Sequence, residues 1–158
     1  MIGYELAKAT DADVIGIGEM GIGNTTTSSA VLSVLLDADV DAVTGRGGGI
    51  TDQSFLKKKQ VIKDAIAINN PNKNDVIDVL AKVGGFDIAA MCGAFLGCAA
   101  KRCPVVMDGF ISAVAALCAY KLCPNAVQAL ASIAFATSIW SSSQIELPIL
   151  PPLALTKV

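Results

Sequence analysis

Val14-Ile15-Gly16-Ile17-Gly18-Glu19-Met20-Gly21-Ile22-Gly23-Asn24-Thr25-Thr26 carries the clearest structural signal in the chain. A short apolar run passes into a glycine-rich loop with one carboxylate, then into an apolar-periodic segment from Thr27 to Leu36. Strand, glycine loop and helix start, in that order, build an anion site. Glycines let the backbone approach a ligand closely, and the free N–H groups of a first helical turn point at it. Asn24, Thr25 and Thr26 can cap the helix or turn toward the ligand. Glu19 would repel a bare phosphate, so the pattern points to a phosphate carrying a sugar or base. Residues 16–21 also spell GxGxxG, and a dinucleotide site is one reading of it. The acidic residues about 20 positions on, Asp37 and Asp39, fall in a turn after the helix rather than at a strand end. Asn24 stands where a Walker loop requires lysine, which argues against a P-loop. The bland alternative is that these glycines serve tight packing alone.

Outward from this stretch, residues 3–8 read as the end of a helix leading into the strand at 14–17. A helix is expected over 25–36, a turn over 37–41, and a second glycine-rich loop, Thr44-Gly45-Arg46-Gly47-Gly48-Gly49, within 42–50. The helix expected over 53–69 puts Phe55, Leu56, Ile62, Ala65 and Ile66 near one face, with Lys57, Lys58, Lys59 and Lys63 around it. Asn70-Pro71-Asn72-Lys73-Asn74 is a linker, Asp75 caps a short helix over 76–83, and Gly84-Gly85 breaks it. Residues 86–101 read as an apolar buried helix whose small residues allow close packing. Pro104 turns the chain into the strand Val105-Val106-Met107, which ends at Asp108-Gly109-Phe110, and another Ala-rich helix follows over 111–122. Apolar strands alternating with helices give the α/β class, a parallel sheet with helices on both faces in a Rossmann-like three-layer arrangement. Ligands of open α/β sheets sit beyond the carboxyl ends of the strands, where Glu19 and Asp108 both fall.

Composition agrees. The 158 residues suit one domain, 53% are hydrophobic, 16% charged and 5% aromatic, so the excess is Ala, Val, Ile and Leu, as in a buried parallel sheet. A net charge of −2 without a basic run gives nucleic-acid binding no electrostatic support. The chain has no histidine, which removes Ser-His-Asp and Cys-His catalysis and the commonest metal ligand. Five cysteines, Cys92, Cys98, Cys103, Cys118 and Cys123, form no CxxC pair and read as reduced, small apolar packing residues. No charge occurs between Lys121 and Glu146, a span long enough for a membrane helix. Its Ser, Thr and Gln content and the lack of a flanking basic cluster argue against one.

Arg46 among glycines could grip a phosphate bidentately or sit in a solvated loop. Of the three successive lysines, at most two can aim at one ligand. Asp108 could bind a ribose hydroxyl or a cation, or cap the helix that follows. No residue is a convincing nucleophile, so binding is readable and catalysis is not.

Together these segments resemble nicotinate-nucleotide–dimethylbenzimidazole phosphoribosyltransferases, which make the lower-ligand nucleotide of cobalamin. The match is carried by GIGEMGIGNTTTSSA (16–30), TGRGGG (44–49), LKKKQVI (56–62), DVLAKVGGFDIAAMCGAFLGCAAKRCPVVMDGFISAVAAL (78–117) and CPNAVQAL (123–130). The resemblance implies transfer of phosphoribose from nicotinate mononucleotide to 5,6-dimethylbenzimidazole, releasing nicotinate and giving α-ribazole 5′-phosphate. It implies no cofactor and no metal, a cytoplasmic homodimer, and small molecules as the partners. It places Glu19, Gly21 and Ile22, with Asn24 and Thr25, along the nucleotide; Gly47, Gly48 and Lys58 near the phosphate; and Asp108, Gly109 and Phe110 elsewhere around the nucleotide. The family's general base, a glutamate in a GEGTGA-type segment, has no counterpart here, and Glu146 does not match it, so no catalytic residue is assigned. The expected organisation is a nucleotide-binding core over residues 1–130 and a divergent Ser/Pro/Leu-rich tail over 131–158. The fold is expected to be incomplete, lacking the family's N-terminal region and its C-terminal catalytic segment.

Overall fold

Isoleucine alternates with glycine in β1 (Ile15–Gly18), and in β2 (Val105–Asp108) buried Val105 and Met107 alternate with exposed Val106 and Asp108, the period of a strand that buries one face. In the computed structural model, which describes residues 1–125 and 134–135, these two strands pair in parallel with Gly18 opposite Asp108. A third strand, β3 (Ala134–Phe135), pairs in parallel on the far side of β2, giving the order β1-β2-β3. Among the described residues seven helices accompany the strands: α1 (Ile2–Ala9), α2 (Thr25–Leu36), α3 (Val40–Val43), α4 (Asp52–Asn69), α5 (Val76–Val83), α6 (Phe86–Lys101) and α7 (Gly109–Leu122). The class is the expected one, α/β with a parallel sheet. Ile17, Val105 and Met107 enter the core, while Gly16 and Val106 on the alternate face stay exposed, as in an incomplete version of the layered fold.

The core runs from the sheet through α2, α6 and α7. Val31 and Leu32 of α2, Ile88, Phe95 and Cys98 of α6, and Val114, Ala115 and Cys118 of α7 are all buried. Four cysteines, Cys92, Cys98, Cys103 and Cys118, are buried free thiols, and only Cys123 is exposed, so four of the five pack as small apolar side chains. Burial pushes the Cys92 thiol up to about 11 and the Cys118 thiol up to about 12, because a thiolate there would lose its hydration.

Small residues let α1 lie directly on α6. A Cβ on Gly97 would stand 2.5 Å from the Tyr4 carbonyl oxygen and 2.8 Å from the Ala7 Cβ, and one on Gly3 would strike the Ala90 carbonyl. Only glycine permits this separation of the two backbones. The close-packing stripe thus faces a helix, not the sheet.

Three expectations need correction. Residues 37–41 are not one turn: Asp37 adopts a left-handed conformation that closes α2, and Asp39 then caps the short helix α3 by accepting from the Asp41 N–H at 2.9 Å. In α4 only Ile62 is buried and Leu56 is two-thirds exposed. At 100° per residue Phe55, seven positions before Ile62, shares its face, whereas Leu56 lies about 120° round the helix. α6 is apolar on all sides but not buried on all sides. Its core stripe is Ile88, Cys92, Phe95 and Ala99, while Phe86, two positions or about 200° from Ile88, is 97% exposed. Asp75 does cap α5, accepting from Ile77 and Asp78. Among the described residues no helix is long and apolar enough to cross a membrane. The uncharged span, residues 126–145, and the tail expected over 131–158 lie outside the described residues apart from β3.

Candidate functional site

Because β1 and β2 run parallel in register, their carboxyl ends finish side by side. A Cβ on Gly18 would touch the Asp108 Cβ at 3.4 Å. The loop of residues 19–24 leaves this edge, turns through Gly21 and Gly23 at positive φ, and delivers Asn24 to the start of α2. Gly21 rides over Ile111 in the first turn of α7. Glu19 is exposed and accepts from the Gly21 N–H, so its carboxylate is turned back on its own loop. Ile22 is exposed at the loop's far side.

The second glycine loop and α4 close on the start of α2. The Lys58 ammonium donates to Thr25 Oγ1 at 2.9 Å and to the Gly45 carbonyl at 2.8 Å. It belongs to no ion pair among the described residues, and burial pulls its pKa below the usual lysine value. A half-buried cation without a carboxylate partner is an electrostatic vacancy for an anion. Gly47 sits over this bridge at φ +67, where an added Cβ would come within 3.0 Å of Thr25 Oγ1 and 3.6 Å of Lys58 Nζ. Both the left-handed backbone and the close approach exclude a side chain there.

The helix caps sort the polar groups. Asp39, Thr51 and Asp75 each accept from the backbone of the helix they precede. Asn24 and Asp108 occupy the same position on α2 and α7, yet neither side chain makes a capping bond. Asn24 instead donates from Nδ2 to Asp87 Oδ2 at 2.6 Å, and Asp108 is exposed beside Gly18. No side chain among the described residues therefore occupies the N–H groups at the start of α2, which remain to bind an anion. Ser112 bonds the Asp108 and Gly109 carbonyls instead, fixing the first turn of α7 without the carboxylate. Gly109 takes a positive φ of +85, and Phe110 packs partly against the core.

Of the residues singled out from sequence, Thr25, Gly47 and Lys58 meet at one point, and Glu19, Gly21, Ile22, Asn24, Asp108, Gly109 and Phe110 line the adjoining strand ends and loop. Gly48 lies in the turn beside Gly47 with nothing within 4 Å of a built Cβ. Arg46 is not in this cluster. Its guanidinium pairs with Asp52, donates to the Ile50 carbonyl at 3.1 Å and lies over the Phe55 ring. It stays exposed in a solvated loop, the second of the two readings, and braces the entry to α4. Lys59 and Lys63 pair with Asp41, so Lys58 alone of the run turns to the cluster. Sequence reading missed Asp87, 63 positions from Asn24; the only available signal was a carboxylate just after the Gly84-Gly85 break.

Comparison with known proteins places the chain in a family. A phosphoribosyltransferase family model, DBI_PRT, matches residues 1–136. The chain is 62% identical over 113 residues to a nicotinate-nucleotide–dimethylbenzimidazole phosphoribosyltransferase of Clostridium tetani, covering 72% of this chain and 31% of that protein. It is 58% identical over 118 residues to the protein of the same name from Ruminiclostridium cellulolyticum, covering 75% and 34%. The crystal structure of CobT from Thermus thermophilus superposes with a TM-score of 0.72 at 34% identity, covering 78% of this chain and 38% of that one. The chain thus spans about a third of the length of the curated relatives it matches. With that family's pattern running through β1, both glycine loops, Lys58 and the end of β2, the chain belongs to the DBI_PRT phosphoribosyltransferase family.

Proposed function

We propose that this chain forms the phosphoribosyl-donor site of a nicotinate-nucleotide–dimethylbenzimidazole phosphoribosyltransferase. The observation that carries the reading is the Lys58 bridge, a cation without a carboxylate partner among the described residues, held between the start of α2 and the Gly45–Gly47 turn. In this reading the phosphate of nicotinate mononucleotide displaces the internal bonds of Lys58 and takes donors from its ammonium, Thr25 and the first turn of α2, with Gly47 and Gly48 leaving room for it. The ribose and the cationic nicotinate ring extend along residues 19–24 toward the strand ends. There Glu19 and Asp108 supply acceptors for hydroxyls and negative charge for the ring, while Gly21, Ile22, Gly109 and Phe110 shape the wall. One nitrogen of 5,6-dimethylbenzimidazole adds to the anomeric carbon as the glycosidic bond breaks; nicotinate leaves with the bonding electrons, the proton on the other benzimidazole nitrogen passes to solvent or a base, and α-ribazole 5′-phosphate results. Residues 1–130 form the nucleotide-binding core, and the working assembly is a cytoplasmic homodimer, as the family resemblance implies.

A second reading is donor binding without transfer. It is favoured by one observation: the contacts gathered around Lys58 are all suited to holding the donor's phosphate, and none of them involves a group placed to accept a proton. Incubating the purified chain with both substrates and separating the products by chromatography decides between the two. Formation of α-ribazole phosphate supports transfer. Saturable binding of nicotinate mononucleotide in a calorimeter without product supports the second reading, and absence of both refutes the donor site itself.

A further inference from the structure

We infer that Asp87, in the first turn of α6, is a positioning residue that pins the end of the 19–24 loop and so presets the anion-binding start of α2. The inference rests on the donor-site reading above and adds to it a residue outside the set that the sequence singled out. Asn24 begins α2 with its backbone, its carbonyl accepting from the Ser28 N–H at 3.0 Å and from Thr27 Oγ1 at 2.9 Å. Its side chain is committed elsewhere, to Asp87 at 2.6 Å. The amide orientation follows from chemistry: with Nδ2 toward a carboxylate the pair attracts, and with Oδ1 there two oxygens would face each other. That orientation is kept although it leaves Asn24 Oδ1 buried without a partner among the described residues.

Asp87 is built for the task. A Cβ on Gly85 would collide with Asp87 Oδ1, so glycine at 85 leaves the carboxylate its place. No lysine or arginine among the described residues pairs with Asp87, so its charge is directed at Asn24. Glu19, the other polar anchor in the loop, bonds only within the loop. Asp87 therefore ties the residue that precedes Thr25, the Lys58 partner, to a different helix. A loop held in its binding geometry before the ligand arrives loses less freedom on binding.

The test uses the whole chain, nicotinate mononucleotide as probe, calorimetry for affinity and nitrogen-edited NMR for the Asn24 side-chain amide. Asp87→Ala is expected to weaken binding about tenfold and to move the Asn24 amide to the averaged position of a free carboxamide. Asp87→Asn, which can still accept from Nδ2, is expected to stay within about threefold of the parent. In an Asn24→Ala background, Asp87→Ala should cost nothing further, because it acts through Asn24. Equal losses in both backgrounds, or an Asp87→Ala chain that binds like the parent, would overturn the inference. If Asp87→Ala does not fold, Asp87→Asn and the parent amide signal decide the matter. If the parent itself does not bind the probe, the donor-site reading fails, and the Asn24 amide alone judges the positioning: shifted and protected supports it, averaged in the parent overturns it.

Discussion

Replacing Lys58 by methionine should separate what this side chain does for the fold from what it does for the ligand. Methionine keeps an unbranched stem of similar reach for the half-buried part of the chain and removes only the charge. In the free protein the ammonium makes two hydrogen bonds, 2.9 Å to Thr25 Oγ1 and 2.8 Å to the Gly45 carbonyl. Against that gain stands the desolvation that lowers its pKa, with no carboxylate to compensate. Gly45 is exposed, so water replaces the lysine there at little cost. The two effects oppose, and stability should change by no more than about 1.5 kcal/mol. Binding differs, because a phosphate converts the unpaired cation into a charge-assisted pair worth about 1.5–3 kcal/mol, or roughly 10- to 150-fold in affinity. Denaturant melts and calorimetry with nicotinate mononucleotide measure the two quantities on the same sample. The pH dependence carries the same sign. A phosphate favours the charged lysine, so affinity should fall as pH rises through a Lys58 pKa lying below the usual 10.5, and Lys58→Arg should flatten that fall. A Lys58→Met chain that loses several kcal/mol of stability, or that binds like the parent, would refute the assignment.

Gly47→Ala should weaken the same binding, because its Cβ would arrive 3.0 Å from Thr25 Oγ1, and should cost about 1–2 kcal/mol of stability for the left-handed backbone, measured by urea titration. Gly97→Ala should force α1 off α6, since its Cβ would stand 2.5 Å from a backbone oxygen; a loss of about 1–3 kcal/mol and faster proteolysis within residues 1–9 are the expected readouts. Alkaline pH should destabilise the chain through its buried thiols. Cys92 and Cys118 titrate near 11 and 12 in the folded protein and near 9.0 when unfolded, so only the unfolded chain releases these protons just above pH 9. Each thiol then removes about 1.4 kcal/mol per pH unit. Melts between pH 8 and 11 should show this slope, and a Cys92→Ala, Cys118→Ala chain should lose most of it.

What could be read from the sequence was local. The strand, glycine loop and helix over residues 14–36 follow from a change of hydrophobic period and from glycines at the turn, and the structure reproduces them almost residue for residue. The Asp75 cap and the strand ending at Asp108 are equally local signals. Helix geometry also limited how many of the three lysines could reach a ligand, though picking Lys58 required the resemblance. What escaped depends on neighbours far along the chain. Arg46 turns away because Asp52 and Phe55 offer a nearer partner and a ring. Asp87 meets Asn24 across 63 positions of chain, a contact that no local pattern signals. Leu56 reads as part of the apolar face of one helix and Phe86 as the start of a buried one, but the angular offset from Ile62 and Ile88 puts them on open faces.

Thr25, Gly47 and Lys58 are expected to act as one phosphate cradle at the start of α2. Nitrogen-edited NMR of the whole chain titrated with nicotinate mononucleotide, and in parallel with its dephosphorylated nucleoside, tests this. Saturable shifts of the Thr25, Thr26, Gly47 and Gly48 amides are expected with the nucleotide, and affinity at least tenfold weaker for the nucleoside. Equal affinities for the two ligands, or shifts confined to residues away from this cradle, would contradict it.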